Sequence, residues 1–199
     1  MSNKAGLLVC IASPSGGGKT TVCRKLIERH GDYRFSVSGT TRDPRDGEQD
    51  GVDYYFLSEE EFNKKVNNGE FAEYERVHGQ MYGTLYAAVQ EALDNGEVLL
   101  NDIDVKGAST LKSEYGDQCL TIFLQPPSMR TLKERLISRG TETEESFKRR
   151  MHRISLEIEY GKQFDVEIVN DQLMTTVDEA EQSIENRRSA IMEEAINGS

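Results

Sequence analysis

The chain reads as an α/β protein, a parallel sheet flanked by helices, and three observations carry that reading. An apolar run from Leu7 to Ala12 leads into Ser13-Pro14-Ser15-Gly16-Gly17-Gly18-Lys19-Thr20 and then into a helix-patterned segment, Thr21 to His30. That succession spells strand, glycine-rich phosphate-binding turn (P-loop) and helix start. Apolar, β-branched runs then alternate with helical patterns along the chain, as parallel strands joined by crossover helices require. Finally, Asp102 and Asp104 stand at the C-terminal end of one such run, Val98 to Ile103, the end at which open α/β sheets bind ligands.

The elements follow in order. After the first helix, closed by Gly31, Arg34 to Ser38 reads as a short strand, and Gly39 to Glu48 as a polar loop broken by Pro44 and Gly47. Val52 to Leu57 is strand-like, Glu59 to Asn68 a short helix inserting Phe62 and Val66, and Phe71 to Val77 and Gln80 to Thr84 further strands. This block, roughly 39–96, reads as a small mixed subdomain set into a core of 1–38 and 97–199. Leu85 to Asn95 is helical and stops at Gly96. Beyond Val98 to Ile103 come a helix from Lys106 to Tyr115, a strand from Cys119 to Leu124, and a helix N-capped by Ser128 with Met129, Leu132 and Leu136 as its apolar stripe. A longer helix starts at Thr143, Val166 to Val169 is the last strand, and Val177, Ala180, Ile184, Ile191 and Ala195 mark a closing amphipathic helix.

The turn carries the first chemistry. Glycines at 16, 17 and 18 let successive backbone N–H groups and a helix N-terminus face one anion with no Cβ in the way. Ser15, Gly16, Gly17, Gly18, Lys19, Thr20 and Thr21 are therefore candidates to cradle the phosphates of a nucleoside triphosphate. Lys19 can reach the outer phosphates, and the Thr20 hydroxyl can meet the Mg²⁺ that accompanies them.

Composition excludes several classes. The 199 residues carry 24 Lys and Arg against 35 Asp and Glu, a net charge of -11, which argues against a general nucleic-acid binder. No apolar run approaches the ~20 residues of a membrane span. With no separate leader pattern, the chain is expected to be soluble and cytoplasmic. Cys10, Cys23 and Cys119 are far apart and form no C-x-x-C, so neither a disulfide framework nor a thiolate metal site is expected. Arginines gather at Arg42 and Arg45, at Arg135 and Arg139, and at Arg149 and Arg150, as a focused phosphate site on an acidic protein needs.

Ser36-Val37-Ser38, Thr40-Thr41-Arg42-Asp43-Pro44-Arg45, Gly47-Glu48, Gly51-Val52-Asp53-Tyr54, Gly69-Glu70-Phe71, Tyr82-Gly83-Thr84 and Asp102-Ile103-Asp104 together resemble guanylate kinase. The likeness continues through Pro126-Pro127-Ser128, Arg139-Gly140-Thr141 and Val169-Asn170-Asp171. The resemblance implies a P-loop core, a GMP-binding subdomain at about 39–96 and a helical lid at about 138–160. It implies phosphorylation of GMP, and of dGMP, by ATP with Mg²⁺. Carried over by position, it sets the GMP phosphate against Arg42, Arg45, Tyr54 and Tyr82, and the base against Ser38, Glu73, Thr84 and Asp104. Asp102 would hold Mg²⁺ through water, Arg135, Arg139 and Arg150 would close with Lys19 and Arg42 on the transferring phosphoryl group, and Asn170 would meet the adenine side. Ser13 in place of the first P-loop glycine, Gly39, Asn101, and Lys106 where glutamine is common depart from the pattern. None of the four removes a group that the chemistry requires. Two other readings are a small P-loop kinase with a different acceptor and a non-catalytic, guanylate-kinase-like phosphopeptide-binding module. The second typically lacks the lysine that stands here at Lys19.

Overall fold

The computed structural model describes residues 4–14, 17–77, 79–131 and 144–197, leaving aside the side chains of 144–150. The chain runs β1 (Leu7–Ala12), α1 (Lys19–Arg29), β2 (Tyr33–Phe35), β3 (Ser38–Thr40), β4 (Tyr54–Phe56), α2 (Glu59–Asn67), β5 (Phe71–Val77), β6 (Gln80–Leu85) and α3 (Tyr86–Asp94). It continues through β7 (Val98–Asp102), α4 (Val105–Tyr115), a 3₁₀ turn, β8 (Cys119–Gln125), α5 (Glu144–Gly161), β9 (Val166–Val169) and α6 (Leu173–Asn197).

Five strands form one parallel sheet in the order β2-β7-β1-β8-β9. All six residues of β1 are buried, and their alternation explains why. Leu7, Val9 and Ile11 face Val22, Cys23 and Leu26 of α1 and Val177, Ala180 and Ile184 of α6. Leu8 and Cys10 face Val89 and Ala92 of α3 and Ala108 and Leu111 of α4. A parallel strand covered on both faces reads as a continuous apolar run, which is why this strand was visible in the sequence. Among the described residues no helix is long and apolar enough to cross a membrane.

A second, mixed sheet has the order β4-β3-β6-β5. Here the structure corrects the sequence pattern. Residues 34–38 are not one strand, because the chain leaves the parallel sheet at Phe35 and Ser36, whose N–H still donates to the Leu100 carbonyl at 2.9 Å. Ser38–Thr40 then enters the second sheet, pairing parallel to β4 and antiparallel to β6. Gly39 and Thr40 are therefore strand rather than loop. The ladder satisfies their backbone, and Thr40 Oγ1 adds a bond to the Met81 carbonyl at 2.9 Å. Helix α2 packs on this sheet through Phe62, whose ring stacks on Phe71 at 4.5 Å. Ser58 and Glu61 close its N-terminus as a reciprocal capping box.

Ser128 caps a helical start as expected, its Oγ accepting from the Thr131 N–H at 3.0 Å. The stripe residues Leu132 and Leu136 lie outside the described residues. At the other end of the molecule, Arg188 of α6 is 3% exposed. It ties three segments together, donating to the Ala5 carbonyl at 3.0 Å, Asp32 Oδ2 at 2.9 Å and the Gly96 carbonyl at 2.9 Å. Removing a buried guanidinium strands its partners, so Arg188→Ala is expected to cost about 3 kcal/mol in urea unfolding while leaving substrate KM values unchanged. A loss below about 1 kcal/mol would show that the three segments hold without it.

Candidate active site

The P-loop follows from β1 and from one backbone torsion. Gly18 has φ 87°, a left-handed turn open to glycine at little cost, and its carbonyl accepts from Thr21 N at 3.1 Å and Val22 N at 3.2 Å. Helix α1 therefore starts at Lys19, two residues before the apolar pattern does, and Lys19 and Thr20 occupy its first turn. Ser13 is 6% exposed and takes up the space beside Gly17, where an added Cβ would collide with the serine side chain. Lys19 Nζ rests at 3.3 Å from the Ser13 carbonyl and 3.7 Å from Asp102 Oδ1. The Thr20 hydroxyl donates to Asp102 Oδ2. β7 supplies this aspartate because its register with β1 sets Asp102 opposite Ile11.

From behind, the loop is held by Asn170, just past β9. Its Nδ2 donates to the Gly17 carbonyl at 2.6 Å, and its Oδ1 accepts from Thr176 Oγ1 at 3.1 Å.

The far end of the same cavity is acidic. Glu73 of β5 is 7% exposed, and its Oε1 accepts from Thr84 Oγ1 at 2.6 Å and Thr84 N at 3.0 Å. Burial pushes its carboxyl up to about 7, with the Thr84 hydroxyl opposing and the Asp104 charge adding to the shift. An added Cβ on Gly107 would lie 2.6 Å from Glu73 Oε2, so glycine in the first turn of α4 makes room for the carboxylate. Asp104 N-caps that helix, its side chain accepting from the N–H groups of Lys106 and Gly107.

Tyr54 and Tyr82 line the same cavity, and the Arg42 guanidinium stands beside Tyr54. Arg42 forks onto Glu48, Nη1 and Nη2 each 2.9 Å from a carboxylate oxygen, and Glu48 Oε2 also accepts from the Arg45 N–H at 2.7 Å. That pairing raises the guanidinium pKa and lowers the carboxyl pKa of Glu48. The Arg42 guanidinium stands over the Tyr54 ring at 5.3 Å, and Tyr54 meets Tyr82 edge-on at 6.0 Å. Burial, with Asp102 and Tyr82 adding, pushes the Tyr54 phenol up to about 12, so it is a neutral donor at physiological pH.

Of the residues singled out in the sequence, Lys19, Ser38, Tyr54, Glu73, Tyr82, Asp102 and Asp104 line one cavity. Arg45 and Thr20 line its neighbour, which shares Tyr54 and Asp102. Thr84 is 1% exposed and stands behind Glu73 with its hydroxyl committed to it. Ser15, Gly16, Arg135 and Arg139 lie outside the described residues. Arg150 falls within α5, but its side chain is not described. Sequence reasoning missed Glu48 as the clamp on Arg42, and missed Arg153 and Glu157, which line the cavity and pair at 2.8 Å. The signal for Arg153 was its helical spacing, three residues beyond Arg150.

A helix N-terminus reached through a left-handed glycine, its first lysine sharing one cavity with a pair of carboxylates, is the arrangement of a P-loop nucleotide-binding protein. The family model for guanylate kinase matches residues 5–187. A guanylate kinase from Chlorobium luteolum is 48% identical over 183 residues, covering 92% of this chain and 93% of that protein. One from Chlorobaculum tepidum is 49% identical over 173 residues, 87% of this chain and 89% of its own. The crystal structure of guanylate kinase from Anaplasma phagocytophilum superposes with a TM-score of 0.79 at 31% identity, covering 94% of this chain and 88% of that one. The chain belongs to the guanylate kinase family.

The environment of Glu73 makes a prediction for the unliganded protein. Its carboxyl is raised from the usual 4.5 to about 7 in the fold, so folding favours the neutral form, and stability is lost as pH rises from about 4.5 through 7. Glu73→Gln keeps an acceptor for Thr84 and cannot ionise. The variant's melting temperature, measured from pH 5 to pH 8.5, is expected to gain on the wild type as pH rises. A difference that stays constant across that range would contradict the burial argument.

Proposed function

We propose that the chain catalyses ATP + GMP = ADP + GDP, with phosphate handled at the P-loop end of the cavity and guanine at the Glu73 end. The observation that carries the reading is the sharing of one cavity by Lys19 and the carboxylates of Glu73 and Asp104. Guanine presents two adjacent donors, N1–H and the 2-amino group, to which an ionised, acceptor-only carboxylate is the complement. The same edge of adenine offers an acceptor at N1 and no amine. Arg42 and Arg45, with Tyr54 and Tyr82, would hold the GMP phosphate through forked guanidiniums and phenolic donors. In this reading Arg42 trades its Glu48 partner for the phosphate or shares it between them. Ser38 and Thr84 complete the base end, Ser38 from the cavity wall and Thr84 through Glu73.

The acceptor phosphate is already an anionic nucleophile at neutral pH, so the reaction needs no dedicated base. A GMP phosphate oxygen bonds to the γ-phosphorus of ATP as the bond to the β,γ-bridging oxygen breaks, and that electron pair leaves on ADP. The protein contributes position and charge. The loop of residues 15–18 and the first turn of α1, through Thr21, would cradle the ATP phosphates, with Lys19 neutralising charge at the outer ones. The Thr20 hydroxyl and Asp102 carboxylate, already in contact, are hard oxygen donors that suit Mg²⁺, with Asp102 acting through water. Bound there, Mg²⁺ would supply neutralisation of phosphate charge. Asn170, whose amide spans Gly17 and Thr176, would meet the adenine side.

Residues 39–96 would carry GMP and 138–160 would form a lid, bringing Arg135, Arg139 and Arg150 onto the phosphoryl group and excluding water. The division is one of roles rather than of layers, since α3, inside the first range, packs on the parallel sheet. A cytoplasmic setting, where both nucleotides occur, accords with this activity.

The test is a coupled assay for ADP release with GMP, dGMP, AMP and CMP as acceptors, on wild type and Lys19→Ala. GMP and dGMP are expected to turn over well, and AMP and CMP poorly. The variant should retain GMP binding while kcat falls by ~10² to 10³, the scale of one lost charge-stabilising contact in a dry site. A preference for AMP or CMP would overturn the base assignment, and a variant keeping half its kcat would overturn the role of Lys19.

A further inference from the structure

Behind Glu73 lies a buried polar chain that ends in an unpaid debt of hydrogen bonding. Asn101, on β7 next to Asp102, is 1% exposed. Its Nδ2 donates to Thr84 Oγ1 at 2.8 Å, and Thr84 Oγ1 in turn meets Glu73 Oε1 at 2.6 Å. Asn101 Oδ1 is buried with no hydrogen-bond partner among the described residues. A buried carbonyl left unpaired is destabilising, and such groups are few in native proteins. A leucine of nearly the same shape would avoid that cost on a face where Leu99 and Cys10, the register partner of Asn101 on β1, are themselves buried.

What the amide contributes is direction. A hydroxyl has one proton, so the chain can run in two ways. In the first, the asparagine NH₂ donates to Thr84 and Thr84 donates to an ionised Glu73. In the second, a protonated Glu73 donates to Thr84 and Thr84 donates to the asparagine carbonyl. The Thr84 backbone N–H also donates to Glu73 Oε1, at 3.0 Å, which favours an acceptor there and so the first direction. With the NH₂ facing Thr84, the threonine proton has Glu73 as its outlet. Oε1 is then held as a double acceptor, and Oε2, the oxygen beside Gly107, is the one Thr84 does not hold.

We propose that Asn101 is a specificity-positioning residue: its amide fixes the Thr84 hydroxyl as a donor to Glu73 and so keeps Glu73 an acceptor toward the guanine edge. The inference rests on the reading that Glu73 meets the base. It assigns Asn101 no contact with substrate, so the effect should appear in acceptor binding rather than in phosphoryl transfer.

A double-mutant cycle between Asn101 and Thr84 tests this, with kcat and KM measured for GMP and AMP at saturating ATP. Asn101→Leu is expected to raise KM for GMP about three- to ten-fold, the scale of one modest hydrogen bond. Its kcat should stay within about two-fold of wild type, its kcat/KM for AMP should be unchanged, and its melting temperature should be no lower than wild type. In a Thr84→Val background, where the chain is already cut, the same substitution should change KM little. An unchanged KM for GMP, equal losses for GMP and AMP, or full additivity with Thr84→Val would overturn the proposal. If Asn101→Leu does not fold, Asn101→Asp keeps the shape and offers an acceptor that takes the threonine proton. It should raise KM for GMP at least as much, and an unchanged KM would overturn the proposal equally. Glu73→Gln separates the two layers of the argument. If it leaves the GMP-to-AMP ratio of kcat/KM unchanged, the base reading itself fails. If it narrows the ratio while Asn101→Leu does not, the inference about Asn101 alone fails.

Discussion

The pairing of β1 with β7 is the constraint on which the site depends. β1 is sealed on both faces, and its register sets Ile11 beside Asp102. With that register fixed, the first turn of α1 brings Lys19 and Thr20 onto the Asp102 carboxylate. A slip of β1 by one residue would exchange the faces of Leu7, Val9 and Ile11 with those of Leu8 and Cys10 and would pull the P-loop away from its aspartate. The apolar packing of the sheet and the electrostatics around Lys19 and Asp102 are thus one arrangement.

An acidic protein that handles two polyanions must keep its cations focused, and the structure shows how. Arg42 is held by Glu48 and stacked near Tyr54, and Lys19 is held by Asp102, so these two cations wait in place with carboxylate partners. Each partner also limits how far its cation can stray, which reduces the ordering that binding requires. The Glu73 end of the cavity uses the opposite device. Among the described residues the hydrogen bonds of Glu73 come from Thr84 and not from a basic side chain, and a carboxylate buried in this way is costly to ionise until donors arrive.

Much of this was legible in the sequence where one local rule acts alone. The buried strands β1, β7 and β8 announced themselves as apolar runs, and Ser128 and Gly96 as helix boundaries. The break at Ser36 was not legible, because residues 34–38 alternate well enough to pass for one strand, and only the partners on two different sheets divide them. The contacts between distant segments were equally hidden. Asn170 lies 153 positions from the Gly17 carbonyl that it binds, and Thr84 reads as a cavity residue until the structure sets it behind Glu73. Glu48 stood in the motif that carries the resemblance, yet its bond to Arg42 depends on how the intervening loop folds back.

An ionised Glu73 meeting guanine is the central proposal, and the pH dependence of nucleotide binding addresses it most directly. The dissociation constants of GMP and AMP would be measured by calorimetry from pH 5.5 to 8.5. Their ratio cancels the titration of the phosphate that both ligands share. With the Glu73 carboxyl at about 7, the preference for GMP should grow as pH rises through that value and then level off, because only the ionised form accepts both guanine donors. A ratio that is flat across the range, or that falls as pH rises, would contradict the account.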